Sequence, residues 1–154
     1  MSTAEKWDQL QTRIAEVDDI QKAAGLLSWD QQTYMPAGGA GARGEQLATL
    51  ERIAHERFTD PAIGELLDDL DDDAAALPAE SFRASVWRIT RRRYDRAKKL
   101  PPDLVAEMAR TSARAFESWV KARAASDFSI FEADLTHQVE LARRQAEYFG
   151  YEDT

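Results

Sequence analysis

No cysteine occurs among the 154 residues, which removes disulfides, thiolate nucleophiles and sulfur metal ligands at once and suits a reducing compartment. Histidine is nearly as scarce, with only His55 and His137, so candidate general bases are few. No stretch approaches the roughly 18 apolar residues of a membrane span. The opening MSTAEKWDQL is polar and has no apolar run of signal-peptide length. The expectation is a soluble, cytoplasmic protein with no membrane partner. Net positive charge is also missing: net charge is −8, which argues against nucleic acid as a default partner, since phosphate binding needs positive charge.

What is present fits one folded region, residues 1–154. Hydrophobic residues make up 44% and charged residues 31%, too apolar for disorder. A chain of this length buries roughly 68–70% of its unfolded surface. The charge is divided into blocks. Residues 60–73 (DPAIGELLDDLDDD) hold seven acidic groups and no basic one, and residues 83–99 (RASVWRITRRRYDRAKK) hold eight basic groups against Asp95 alone. Blocks of opposite sign this close are expected to pair within the fold.

Periodicity is helical throughout and nothing reads as a strand. From Thr3 as N-cap, Trp7, Leu10, Ile14, Val17, Gln21 and Ala24 recur at spacings of three and four, and the helix runs to the residues before Pro36. A second helix starts near Ala42 and carries Leu47, Leu50, Ile53, Ala54 and Phe58. Asp60 caps a short third helix with Pro61 at its first position, ending in the aspartate run. Leu77-Pro78-Ala79-Glu80 opens a fourth, with Phe82, Val86, Ile89, Arg93, Ala97 and Leu100 as its stripe. After Pro101-Pro102, Leu104, Met108, Ser112, Ala115, Trp119 and Ala122 mark a fifth, which breaks at Ser126-Asp127-Phe128. Phe131, Leu135, Val139, Ala142 and Phe149 mark the last, with Gly150 suited to a left-handed C-cap. The fold expected is all-α, about six helices in antiparallel hairpins, with no sheet. The chain stops soon after the last helix with no closing element, and reads as part of something larger.

Three motifs promise chemistry and fall short. Gly39-Ala40-Gly41-Ala42-Arg43-Gly44 spells the dinucleotide pattern, but a helix precedes it where the pattern needs a strand. His55-Glu56-Arg57-Phe58-Thr59 has threonine where the helical zinc motif needs its second histidine. Asp134 and His137 have the spacing of a carboxylate–histidine ligand pair, but a di-metal bundle needs that motif twice with two further carboxylates. No catalytic residue and no metal ligand is therefore assigned.

The corner between the first two helices, SWDQQTYMPAGGAGARGE, spends more bulky and polar residues than a turn of this kind needs. With its flanks it is similar to the N-terminal signature of the carboxypeptidase Taq family of zinc metallocarboxypeptidases. Trp29, Asp30, Thr33, Met35, Pro36, Gly38, Gly39, Arg43, Gln46 and Leu47 all stand where that W-D-x-x-T-x-M-P-x-G-G-x-x-x-R-x-E/Q-Q-L signature has them. The likeness continues through TDPAIGELLDDL, RRRYDRAKKLPPDLV and DFSIFEADLTHQVELARRQAEYFGYED.

The resemblance implies an almost wholly helical fold with a deep cleft that the N-terminal helices wall or cover. It implies a protein roughly three times this length, whose zinc-binding H-E-x-x-H helix lies beyond this chain. There a metal-activated water, with the motif glutamate as general base, releases C-terminal residues from peptides. The expectation is an N-terminal third that is inactive alone, with no cofactor of its own and zinc or another divalent metal implied for the whole family protein. Its signature residues are structural or line the cleft wall. Its partners are the missing catalytic portion and, for exposed apolar surface, a second copy in a homodimer; the candidates are Trp29, Tyr34, Met35, Trp119, Phe149 and Tyr151. The competing reading is a stand-alone helical binding or regulatory module derived from that family.

Overall fold

Helix starts and stops follow from local chemistry. A computed structural model describes residues 1–150 and is α-helical apart from short connections. Helix α1 spans Thr3–Thr33. Its N-cap is Ser2, one residue before the expected Thr3: the Ser2 hydroxyl accepts from the Glu5 amide, and the Glu5 carboxylate accepts from the Ser2 amide. This reciprocal box satisfies two of the amides that a helix start otherwise leaves unpaired. A 3-10 turn (Ala37–Gly39) leads into α2 (Ala40–Phe58). Asp60 caps α3 (Pro61–Asp69) through the Ala62 amide, with Pro61 in the first turn as expected.

The acidic run supplies one short helix more than the six expected, α4 (Asp71–Ala76), set off from α3 at Leu70. Helices α5 (Phe82–Ala97), α6 (Pro102–Ala125) and α7 (Ser129–Phe149) complete the chain. Helix α6 ends on Ser126 at φ 52°, and α7 ends on Gly150 at φ 77°. No strand is found among the described residues, and no helix among them is long and apolar enough to cross a membrane.

The main layers are antiparallel pairs. Arg43 near the start of α2 reaches Leu27 and Asp30 near the end of α1. Glu45 of α2 pairs with Arg110 of α6 at one end, and His55 meets Leu100, just before α6, at the other. Helix α7 runs back along α6 through Arg114–Asp134 and Arg144–Glu107.

Apolar burial divides into two clusters. The larger joins α1, α2, α3, α4 and α5 through Trp7, Leu10, Val17, Phe58, Ile63, Leu67, Leu70 and Tyr94. The smaller, Ala24, Leu47 and Ala113, joins α1, α2 and α6, with Leu27 and Leu50 partly buried against it. Small residues allow close approach there but bury little area. One close approach depends on Gly64, where a Cβ would sit 2.6 Å from the Tyr94 hydroxyl.

Two expected stripes are not the main buried faces, although Ala97 of the first packs on the larger cluster. On α5, Phe82 and Ile89 are exposed, and the core side is Ala84, Thr90 and Tyr94 with Trp87 beside it. The cause is hydrogen bonding and aromatic packing: Trp87 donates to the Leu67 carbonyl at 2.9 Å, and Tyr94 meets Phe58 edge to face. On α7, Leu135 and Val139 face outward, and Leu141 is the residue buried.

The charge blocks pair at one point, Arg91 with Asp68. Asp69 turns instead to Lys6 at 2.8 Å and Asp73 to the Trp7 indole at 2.7 Å. Five of the eight basic residues of the run lie over aromatic rings: Arg83 on Trp7, Arg91 on Trp87, Arg93 on Phe58, Arg96 on Phe149 and Lys98 on Tyr94.

Candidate functional site

The corner is built by a helix that proline stops and an arginine that refastens it. Tyr34 and Met35 amides both donate to the Asp30 carbonyl, and the Gly39 amide donates to the Pro36 carbonyl at 2.8 Å. Pro36 supplies no donor and bars its predecessor from continuing the helix.

Arg43, in the first turns of α2, donates to the Leu27 carbonyl, to the Asp30 carboxylate at 2.6 Å and to Gln46 at 3.1 Å. Thr33 donates its hydroxyl back to the Trp29 carbonyl. Met35 lies against Gly39, where a Cβ would fall 3.0 Å from its Cγ. A Cβ at Gly38 would meet no atom within 4 Å, so nothing in the structure explains a glycine there. Leu47 is in the smaller core cluster. Trp29 and Tyr34 point outward as an edge-to-face pair 5.6 Å apart.

Asp30, Arg43 and Gln46 thus form one network that holds the helix pair, and Trp29 and Tyr34 form an exposed aromatic pair beside it. Arg43→Ala is expected to destabilise the chain by about 1.5–3 kcal/mol, the range for hydrogen bonds to charged groups. Arg43→Lys should recover only part of that, because an ammonium cannot serve three acceptors in the guanidinium's planar geometry. Urea denaturation of the two variants checks both.

Below the corner lies a groove of about 690 Å³ between α1, α2, α5, α6 and the end of α7. Its walls are mainly apolar, with glutamine amides from α1 and α7. The titratable side chains lining it are Glu51 and His55 of α2 and Arg93 and Arg96 of α5. Glu51 is half-buried, and burial raises its pKa above the usual carboxylate range. His55 donates through Nε2 to the Leu100 carbonyl at 2.8 Å. Sequence reasoning missed this groove, although one signal was present: Glu51 falls between Leu47, Ala54 and Phe58 at spacings of four, three and four, a carboxylate on an apolar stripe.

The metal motifs stay apart. The His55 ring nitrogen is engaged, Glu56 pairs with Arg52 at 2.8 Å, and the Thr59 hydroxyl donates to the His55 carbonyl. His137 stands between Glu107 and Glu140 at 3.5 Å each, with Glu107 shared by Arg144 and Asp134 bound to Arg114. Among the described residues no group of three or more histidines and carboxylates is arranged to hold a metal ion.

Comparison with known proteins bears on the same residues. The sequence model of the carboxypeptidase Taq (M32) metallopeptidases matches residues 9–154. Thermostable carboxypeptidase 1 of Thermus thermophilus is 34% identical over 128 residues, 83% of this chain and 25% of that protein. Thermostable carboxypeptidase 1 of Pyrococcus furiosus is 30% identical over 146 residues, 94% of this chain and 28% of that protein. The crystal structure of BsuCP superposes with a TM-score of 0.84 at 25% identity, covering 98% of this chain and 29% of that one. The chain therefore spans little more than a quarter of the curated relatives it matches, and the part matched is their N-terminal portion.

Proposed function

Because the chain belongs to the carboxypeptidase Taq (M32) metallopeptidase family, we propose that it forms the N-terminal helical portion of a metal-dependent carboxypeptidase and is inactive by itself. In that role it walls a cleft in which peptides lose C-terminal residues. The metal and its activated water belong to residues outside this chain. The observation that carries the reading is the near-complete overlay of this chain on less than a third of a larger carboxypeptidase.

Its own residues supply scaffold and surface. The Asp30–Arg43–Gln46 network fixes the angle of the first hairpin, and α2 paired with α6 gives a rigid wall. Purified residues 1–154 are expected to bind less than stoichiometric zinc and to release no C-terminal residue from peptides. One tightly bound zinc per chain by elemental analysis, lost in His55→Ala and accompanied by residue release, would overturn this.

We also propose that the chain alone self-associates as a two-fold dimer. Trp29, Tyr34, Trp119, Val120 and Phe128 are exposed, as are Leu135 and Val139 of α7. Met35 and Phe149 are weaker candidates, being partly covered by Gly39 and Arg96 respectively, and Tyr151 lies outside the described residues. A symmetric contact burying about 1,600 Å² would let one patch serve both partners. Sedimentation equilibrium is expected to give twice the 17.4 kDa chain mass; the single-chain mass over a hundredfold concentration range would contradict it.

A further inference from the structure

The stripe that hydropathy places inward on α5 lies at the surface. Phe82 and Ile89 are 73% and 55% exposed, and Val86 is partly exposed. At about 100° per residue, Phe82, Val86, Ile89 and Arg93 share an arc of about 60°, and Arg88, Arg92 and Arg96 run along one flank of it. On the other flank α5 faces α1 across a groove of about 350 Å³. Ile14, Val17 and Phe58 line that groove together with Phe82 and Val86.

The basic flank is not neutralised within the chain. Arg88 donates to the Ala79 carbonyl and the Ser85 hydroxyl, both uncharged. Arg91, which lies over the Trp87 ring, takes up the nearby carboxylates of Asp68 and Asp95. Arg88 and Arg92 are exposed and meet no carboxylate among the described residues, in a chain whose net charge is −8.

We propose that this face docks an amphipathic helix of another protein, one with an apolar row flanked by a row of carboxylates. The seam from Phe82 to Arg93 is about 16 Å long, or three turns. A helix with apolar residues at spacings of three and four has ridges of the same period and packs along that length. Its carboxylates then face Arg88 and Arg92, which sets its orientation and speeds its encounter.

Charge and shape select this occupant over others. A basic helix would meet the arginines with like charge. Nucleic acid would engage the arginines and leave Phe82 and Ile89 in water, and the chain's net negative charge opposes it. A bilayer is flat where this face is grooved, and an anionic one is opposed by the same net charge. A second copy offers its acidic run at α3 and α4, but Ile63, Leu66, Leu67 and Leu70 there are buried in the core. It has no free apolar row beside those carboxylates. The surface is also separate from the residues proposed for self-association, and it is independent of the proposed part in peptide hydrolysis.

Fluorescence anisotropy of residues 1–154 with a labelled synthetic helix of about five turns tests the assignment. The probe carries leucine at spacings of three and four and glutamate along one flank. One companion replaces its glutamates by lysine, another its leucines by glutamine. The leucine–glutamate probe is expected to bind saturably, and each companion at least about tenfold more weakly. The gap between the glutamate and lysine probes should shrink with added salt, because rim charges are screened. The double variant Arg88→Glu, Arg92→Glu should reverse the preference between those two probes. Phe82→Ser with Ile89→Ser should weaken both, with circular dichroism unchanged because these side chains are exposed.

No saturable binding of the leucine–glutamate probe by the folded wild-type chain would overturn the proposal. So would equal binding of the leucine-free probe, of single-stranded DNA or of phosphatidylserine vesicles, which would make the face a general polyanion site. The serine variant might instead lose self-association, or lose binding to the Thermus thermophilus relative lacking its matching quarter. The occupant would then be a second copy or the rest of a family fold, and the assignment to another protein would fall.

Discussion

Trp7→Ala is expected to lower unfolding free energy by about 3–5 kcal/mol, the usual cost of emptying a large aromatic site. Trp7 is completely buried, in the cluster that ties α1 to α3, α4 and α5. Its indole N–H donates to Asp73 at 2.7 Å, and Arg83 lies 5.5 Å from its ring. The substitution removes apolar area, leaves a cavity and strands the Asp73 carboxylate. Against a total stability of about 5–15 kcal/mol for a typical domain, the loss is large. Trp7→Phe keeps most of the area and loses the hydrogen bond, so it should cost much less. Asp73→Ala leaves the buried indole N–H without its acceptor, at about 1–3 kcal/mol. Urea denaturation of the three variants gives the ordering: alanine at 7 worst, the other two well behind. Equal, small effects would mean that this cluster does not hold the first helix.

The helices themselves were legible because their signals are local. Pro36, the Asp60-Pro61 pair and Pro101-Pro102 stop or start helices through backbone constraints that no tertiary contact has to supply. Which face of a helix is buried is less local, and it failed on α5. Phe82, Val86, Ile89 and Arg93 form as regular a stripe as Ala84, Trp87, Thr90 and Tyr94. Hydropathy favours the first set. The fold takes the second because Trp87 and Tyr94 find a carbonyl and an aromatic edge on neighbouring helices. The same holds for α7, where Leu135 and Val139 were expected inward and lie outward.

The corner divides along a similar line. Its W-D and R-x-x-Q residues are far enough apart in sequence that no turn rule links them, and only the fold brings the Arg43 guanidinium onto Asp30 and Leu27. The resemblance to the carboxypeptidase Taq signature pointed to these positions as a set. It did not say that Arg43 and Asp30 bind each other while Trp29 and Tyr34 turn to the surface. The groove was not anticipated because its lining comes from five helices, and cavities between helices leave no periodic trace in any one of them.

A second large effect is expected when this chain meets the rest of a family fold. Trp29, Tyr34, Trp119 and Phe128 present apolar surface to water. A partner that covers such a patch gains the hydrophobic term for every face buried. On the proposed function, a carboxypeptidase of the family deprived of its matching N-terminal portion would lose the wall that orients its substrate, and orientation carries a large share of a rate enhancement. Adding residues 1–154 to such a deprived enzyme should then restore the wall in trans. The rate should then rise by about a hundredfold, the loss associated with roughly 1 Å of misplacement.

The direct measurement is the release of the C-terminal residue from an N-blocked dipeptide by three samples. These are residues 1–154 alone, the zinc-loaded Thermus thermophilus relative lacking its matching quarter, and the two mixed. Background rates are expected for each part, and a rate in the mixture that saturates as this chain is added. Release by residues 1–154 alone, or a mixture no faster than the truncated relative, would contradict it.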